Sequence, residues 1–414
     1  MKDRRMSYFI KITDPEKIRE IIIENSKDEA KYGIAKFWAD REEKLLYNER
    51  TGEYYLNSFF PAFPSQAWER LLGAMTAFAN NKRKLYQLDL VVTGRCHCYC
   101  WHCYRIKHCR EDLEKKAIYE IYKDAYDLGV ATMGITGGEP MIREDINELI
   151  TKIPDGIRGQ LYTTGHNIDQ DFCDILLQSN IDRVIISLDF HKEEFVVKTR
   201  NNKNAFKETI QAVDVLVKNG IYTVLTICIL EQFTIKDMEE YFEFVKKLGV
   251  QEIRVVMPIP QGQIEGNAIK FNYVEAKKMV KQMRAKYLEE KNAPIIVLFS
   301  EFESAFCFGC SAGACYISVN NDGEVTPCVA VPLSFGSVYK NSMKEIYEQM
   351  GRYFKNTGKT CYGRKIGAIM DKMQVDTSKT PISQEESKKV AEKYIVQGKG
   401  AVFYEKYLRT VEEK

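Results

Sequence analysis

Residues 88–103 read LDLVVTGRCHCYCWHC: a short apolar run, a Gly-Arg break, then four cysteines and two histidines in eight positions. The run, rich in β-branched residues, predicts a strand that ends at the glycine. Thiols directly after a strand lie at its carboxyl end, the face on which parallel α/β folds bind ligands. Spacing leaves three readings of residues 96–109 open. Zinc normally takes CxxC pairs from two places, and only Cys100 and Cys103 are so spaced. An iron–sulfur cluster needs thiolates on one compact loop. Cys96-x3-Cys100-x2-Cys103 supplies three, leaving one iron of a four-iron cluster without a protein ligand. The third reading is a loop of clustered thiols with no metal.

Working outward, further short apolar runs occur at TMGIT (132–136), QLYTT (160–164), RVIISLD (183–189), TVLTICIL (223–230) and EIRVVM (252–257). Segments of helical periodicity separate them: Leu113–Leu128, Glu144–Ile153, Gln170–Gln178, Ala205–Asn219 and Met238–Leu248. Strands joined by right-handed helical crossovers make a parallel sheet covered by helices. Alternation does not choose between an open sheet and a partial barrel. A helix at Tyr273–Glu289 and a strand at Ile295–Leu298 close this unit. Four units are expected: an N-terminal α+β segment (1–85), the barrel or sheet (86–299), a Cys- and Gly-rich unit (300–375) and a charged helical tail (376–414). In the first, KLLYNERTGEYYLN (44–57) predicts a β-hairpin around Thr51-Gly52. FFPAFPS links it to an amphipathic helix over Trp68–Asn80.

Composition bounds the setting. The 414 residues are 45 % hydrophobic and 29 % charged, enough for a sizeable core without disulfide staples. Sixty Lys and Arg against 58 Asp and Glu give +2, which argues against broad nucleic-acid or anionic-membrane affinity. No apolar signal region or membrane-length run is present, so a cytoplasmic protein is expected. In a reducing compartment, twelve cysteines point to metal ligands, reactive thiols or core residues.

CHCYCWHCY at 96–104, TGGEP at 136–140 and SLD at 187–189 together resemble the radical S-adenosylmethionine superfamily. The resemblance covers about residues 86–365 and implies a partial (β/α)6 TIM barrel with a small Cys-rich α+β domain after it. It implies that Cys96, Cys100 and Cys103 bind a [4Fe-4S] cluster whose open iron is chelated by the methionine end of S-adenosylmethionine. A one-electron donor of the flavodoxin or ferredoxin type would reduce the cluster. Cleavage of the sulfonium would then give a 5'-deoxyadenosyl radical that takes a hydrogen atom from substrate. Gly137 and Gly138 would let the backbone approach the cofactor, and Glu139 would meet its ammonium group. Ser187 and Asp189 would contact the ribose or carboxylate, with Arg200 nearby. Thr163 and Thr164 stand where relatives have Asn-Gly, and Thr164 is carried as a cofactor contact.

The run CFGCSAGACYISVNNDGEVTPC (307–328) is similar to the start of the SPASM and Twitch extensions, and FGSVYKNSMKEIYEQ continues the likeness. This implies a second, auxiliary [4Fe-4S] cluster on Cys310, Cys328 and Cys361, with Cys307 or Cys315 as fourth ligand or an open iron. The competing reading is a zinc ribbon of Cys307, Cys310, Cys328 and Cys361. Cys228, on the fifth strand, is either a core residue or a hydrogen-atom donor facing the barrel interior. The favoured function is modification of a ribosomally made peptide by crosslinking, thioether formation or epimerisation. The N-terminal hairpin and helix are loosely similar to leader-peptide recognition elements, which bind by strand addition. Alternatives are radical chemistry on a small metabolite (a cyclitol, tetrapyrrole or nucleoside precursor) or a non-catalytic electron carrier. An intact GGE motif speaks against the last.

Overall fold

The computed structural model describes residues 8–41, 43–229, 233–265, 273–290, 292–396 and 400–409. Three antiparallel strands, β1 (Phe9–Ile12), β2 (Leu45–Asn48) and β3 (Glu53–Tyr55), form a first sheet in that order. β2 and β3 are the expected hairpin. Helices Pro15–Glu24 and Ala30–Ala39 precede it, elements the sequence reading did not identify. The outer edge of β3 is occupied, since Tyr54 and Phe63 exchange backbone hydrogen bonds of 2.6 and 3.0 Å.

The second sheet has nine strands in the order β10-β9-β8-β7-β6-β5-β4-β11-β12. Strands β4 (Gln87–Thr93), β5 (Thr132–Gly137), β6 (Arg158–Thr163), β7 (Ile181–Ser187), β8 (Thr223–Cys228), β9 (Glu252–Val256) and β10 (Ile295–Leu298) are all parallel. This is the partial barrel, with a seventh parallel strand beyond the six of the resemblance. The expected helices are present at Lys115–Leu128, Ile146–Thr151, Gln170–Leu177, Ala205–Lys218, Ile235–Leu248 and Tyr273–Tyr287. Their apolar faces and the outer sheet face build the larger core, with Leu90, Ile135, Leu161, Ile186 and Leu225 at full burial. β11 (Tyr316–Val319) adds in parallel to β4, and β12 (Val325–Thr326) pairs with it antiparallel. The C-terminal unit is thus continuous with the barrel sheet.

Residues 57–62, the end of the expected hairpin and the start of the FFPAFPS link, seal the amino end of the barrel. The Ser58 N–H donates to Glu252 (2.7 Å), Ala62 N–H to Asp182 (3.0 Å), and Arg183 to the carbonyls of Asn57 and Phe60 (2.6 and 2.7 Å). Charges at the start of β7 and β9 are thereby hydrogen-bonded inside an otherwise apolar region, which makes their burial tolerable. The tail is not one continuous helix. It carries Gln384–Glu392, and residues 400–409 return to the N-terminal unit, where Phe403 and Tyr407 pack on Phe37 and Tyr407 donates to Asp40 (3.1 Å). Among the described residues no helix is long and apolar enough to cross a membrane.

Candidate active site

The cysteine loop leaves β4 and is held from three sides. Arg95 grips Asp112 within the loop (2.6 Å), and the Tyr99 and Trp101 N–H groups donate to the carbonyls of Arg200 and Thr199 at the end of helix Glu193–Arg200 (2.9 and 3.0 Å). Gln263 N–H donates to the Cys103 carbonyl (3.0 Å); a side chain at neighbouring Gly262, whose φ is +61°, would strike that same carbonyl. From the C-terminal unit, Asn320 and Asn321 each accept from the buried Arg105 at 2.8 Å. Asn321 also donates to the Cys109 sulfur (2.9 Å).

Cys96, Cys100 and Cys103 share this loop, and their charges act on one another. Cys98 lies between them, its thiol hydrogen-bonded to both Cys96 and Cys100 and touched by Asn202 at 3.5 Å. The Cys100 thiol is lowered to about 7, first by the Cys98 hydrogen bond and further by the Arg200 guanidinium 3.9 Å away. Three soft donors on one braced loop fit a four-iron cluster, with Cys98 beside the set.

The GGE segment abuts this loop. A Cβ on Gly138 would fall 2.2 Å from the Arg95 carbonyl, and one on Gly137 2.8 Å from that of Thr93, so both glycines are required by protein packing whatever else binds there. Glu139 is fully buried. Its carboxylate accepts from Met141 N–H (3.1 Å), Thr163 Oγ1 (2.7 Å), Thr164 N–H (2.7 Å) and Thr164 Oγ1 (2.8 Å). The threonine pair that departs from Asn-Gly therefore orients this glutamate, and an ammonium partner would displace one of these hydroxyls. Asp189 and Arg200 form a buried ion pair (2.6 Å), bracing the cysteine loop rather than standing open to a ligand, whereas Ser187 faces the central cavity. His166, just after Thr164, lies 3.0 Å from Glu208, which also faces His97 of the cysteine loop at 3.5 Å.

That cavity, of about 670 Å³, runs through the barrel from the start of β4 to the carboxyl ends of the strands and extends to the C-terminal unit. Much of its wall is aromatic: Phe59, Tyr104, Tyr162, Phe299 and Phe308. Cys228, on β8, faces it, and burial raises its thiol far above the ordinary range. Cys310, Cys328 and Cys361 line the other side. Cys310 exchanges backbone hydrogen bonds with Gly358 (2.7 and 2.8 Å), bringing it onto Cys361, whose thiol is lowered chiefly by a hydrogen bond from Cys310. The structure does not bring Cys307 and Cys315 to this group. Cys307 lies beside Arg41 and Cys315 beside Tyr86 and Arg83, and burial pushes each thiol up to about 12. They fall on the inner faces of turns that pack into the N-terminal core, which spacing alone does not reveal. The four-cysteine ribbon is therefore not assembled.

Three cavity residues escaped the sequence reading. Asp89 and Arg254 are charges inside the apolar runs of β4 and β9, a pattern that marks strand positions pointing into a barrel. Glu303 follows helix Phe299–Phe302 and faces the same space, with no comparable signal.

Two family models match the chain: the Radical SAM superfamily over residues 90–245, and SPASM, an iron-sulfur cluster-binding domain, over residues 310–363. A probable GTP 3',8-cyclase of Methanothermobacter marburgensis is 27% identical over 272 residues, 62% of this chain and 88% of the relative. One of Methanopyrus kandleri is 21% identical over 306 residues, 72% of this chain and 97% of the relative. Among solved structures, Streptococcus suis SuiB bound to precursor peptide SuiA superposes with a TM-score of 0.58 at 16% identity, covering 74% of this chain and 77% of that one. The enzyme anSMEcpe with bound AdoMet and a Cp18Cys peptide gives 0.53 at 16% identity, over 75% and 96% of the two chains.

Proposed function

We propose, from the premise that the chain belongs to the radical S-adenosylmethionine superfamily and carries a SPASM iron-sulfur domain, that it modifies a ribosomally made peptide, one residue of which enters the central cavity. Cys96, Cys100 and Cys103 would hold the cluster that binds S-adenosylmethionine, and Cys310, Cys328 and Cys361 the auxiliary one. Bound there, these groups supply one-electron reductive cleavage and hydrogen-atom abstraction. The chain's own work is positional. Arg200 and Asp189 fix the loop, Glu139 presents a hydrogen-bonded carboxylate at the methionine end, and the aromatic walls exclude water from the reacting carbon.

The observation that carries the reading is the cavity itself: apolar and aromatic on most sides, with the Cys228 thiol and the Cys310, Cys328 and Cys361 group on its wall and His102 and Tyr104 of the first cysteine loop reaching it. Such a space suits a side chain rather than a highly charged metabolite. The fold shared with SuiB, which binds a precursor peptide, supports it. A nucleotide is the second reading, favoured by Lys359, Arg364 and Lys365 on one flank and by the GTP 3',8-cyclase relatives. The deciding experiment uses anaerobic holoprotein with dithionite and S-adenosylmethionine, following 5'-deoxyadenosine. Short peptides encoded beside the gene and GTP are offered separately. Stimulated turnover with a change in peptide mass, or deuterium uptake from heavy water, supports peptide modification. Stimulation by GTP alone overturns it.

A further inference from the structure

Three thiols meet at the auxiliary site, and no fourth cysteine among the described residues joins them. Glu303 faces the same space. It lines the cavity with Cys310, Cys328 and Cys361, and its charge acts on all three thiols. Its backbone N–H donates to the Phe299 carbonyl (3.4 Å), while its carboxylate feels the Arg254 and Arg364 guanidinium charges as well as the thiols. Burial raises this carboxyl despite the two guanidinium charges, so a cation bound beside it would be favourable, and three sulfur donors line the same space. Four donors close the coordination of a four-iron cluster, one to each iron.

We infer that Glu303 is the fourth protein ligand of the auxiliary iron–sulfur cluster, one oxygen donor beside the thiolates of Cys310, Cys328 and Cys361. The inference rests on the reading that these cysteines hold iron. The local geometry explains why an acidic residue serves where a cysteine is more usual. The helical turn Phe299–Phe302 is anchored by Phe302, which is fully buried and stacks on Phe59 and Phe308, so the next residue is directed back toward the cavity. Cys307, four residues later, is committed to the opposite core.

The test uses the full-length chain carrying Cys96→Ala, Cys100→Ala and Cys103→Ala, so that only auxiliary iron remains, reconstituted anaerobically. Iron, sulfide and zinc are counted first. Mössbauer and reduced-state EPR spectra and the midpoint potential are then compared for Glu303, Glu303→Gln, Glu303→Ala and Glu303→Cys. With Glu303 in place, one iron should differ from the other three. Glu303→Ala should change that iron's signature and shift the potential with about four irons retained, and Glu303→Cys should give a spectrum of four thiolate-bound irons. Identical spectra and potentials for Glu303 and Glu303→Ala overturn the assignment while leaving the cluster reading intact. Zinc, or no metal, in the parent overturns both. Glu303→Gln, nearly isosteric, guards against a variant that merely misfolds: loss of iron in Glu303→Ala with a wild-type spectrum in Glu303→Gln also refutes carboxylate ligation.

Discussion

Replacing Asp89 by Asn should stabilise the protein, and more so as pH rises. Asp89 lies on β4 inside the barrel, wholly enclosed, with Tyr316 donating to one carboxyl oxygen at 2.7 Å and no hydrogen-bond partner on the other. The nearest cation, Arg254, donates to Tyr162 (3.1 Å) and lies over the rings of Phe299 and Phe59. Burial therefore outweighs these favourable contacts, and the carboxyl is raised from 3.8 to about 6. The unfolded chain ionises first. Stability is thus lost as pH climbs from about 4 to about 6 and stays lost above that. A shift of about two units corresponds to roughly 3 kcal/mol, of which about half is already lost at pH 5. The amide keeps an acceptor for Tyr316 and cannot ionise. Its fixed cost is the same at every pH, so the difference between variant and wild type should grow by about 1.5 kcal/mol between pH 5 and pH 8. In anaerobic thermal scans of holoprotein that is a Tm gap widening by about 2 °C. A gap constant across this range, or one favouring wild type increasingly at high pH, would show that Arg254 holds the carboxylate ionised and would refute the reasoning.

Cys98→Ala should leave the iron content of the first cluster intact, while Cys100→Ala should remove about four irons per chain; equal losses would mean that Cys98 is itself a ligand. Cys228→Ala should retain peptide-stimulated cleavage of S-adenosylmethionine but lose any deuterium transfer from solvent to product, read by mass spectrometry; retained transfer would return Cys228 to a packing role. Glu252→Ala strips the acceptor from Ser58 N–H (2.7 Å) and Tyr222 O–H (3.0 Å), both buried, at about 1–3 kcal/mol for each unsatisfied group. Hydrogen exchange should then speed up selectively in residues 57–62, and uniform acceleration along the chain would contradict their role as a seal.

The barrel was legible because each of its strands is buried on both faces, so apolar runs announce them, and because the helices between show one clean apolar stripe. The first cysteine group was legible for a related reason: its ligands lie on one loop, where spacing in sequence is spacing in space. The auxiliary group breaks that condition. Cys310, Cys328 and Cys361 are gathered by a strand pair, a turn and a helix start, and counting from Cys310 made Cys307 and Cys315 look equally eligible. Their exclusion is decided by the N-terminal unit, since the core built by Phe37, Phe60 and Phe403 draws Phe308 inward and takes Cys307 with it. The same contacts explain why FFPAFPS read as a link. A segment whose polar partners are Asp182 and Arg183, more than a hundred residues away, carries no local sign of them. Packing of the first eighty residues against the last hundred thus determines which thiols face the cavity. The N-terminal unit shapes the auxiliary site without contributing a thiol to it, and a substitution such as Phe60→Ala should disturb auxiliary iron before it disturbs the cluster on the loop after β4.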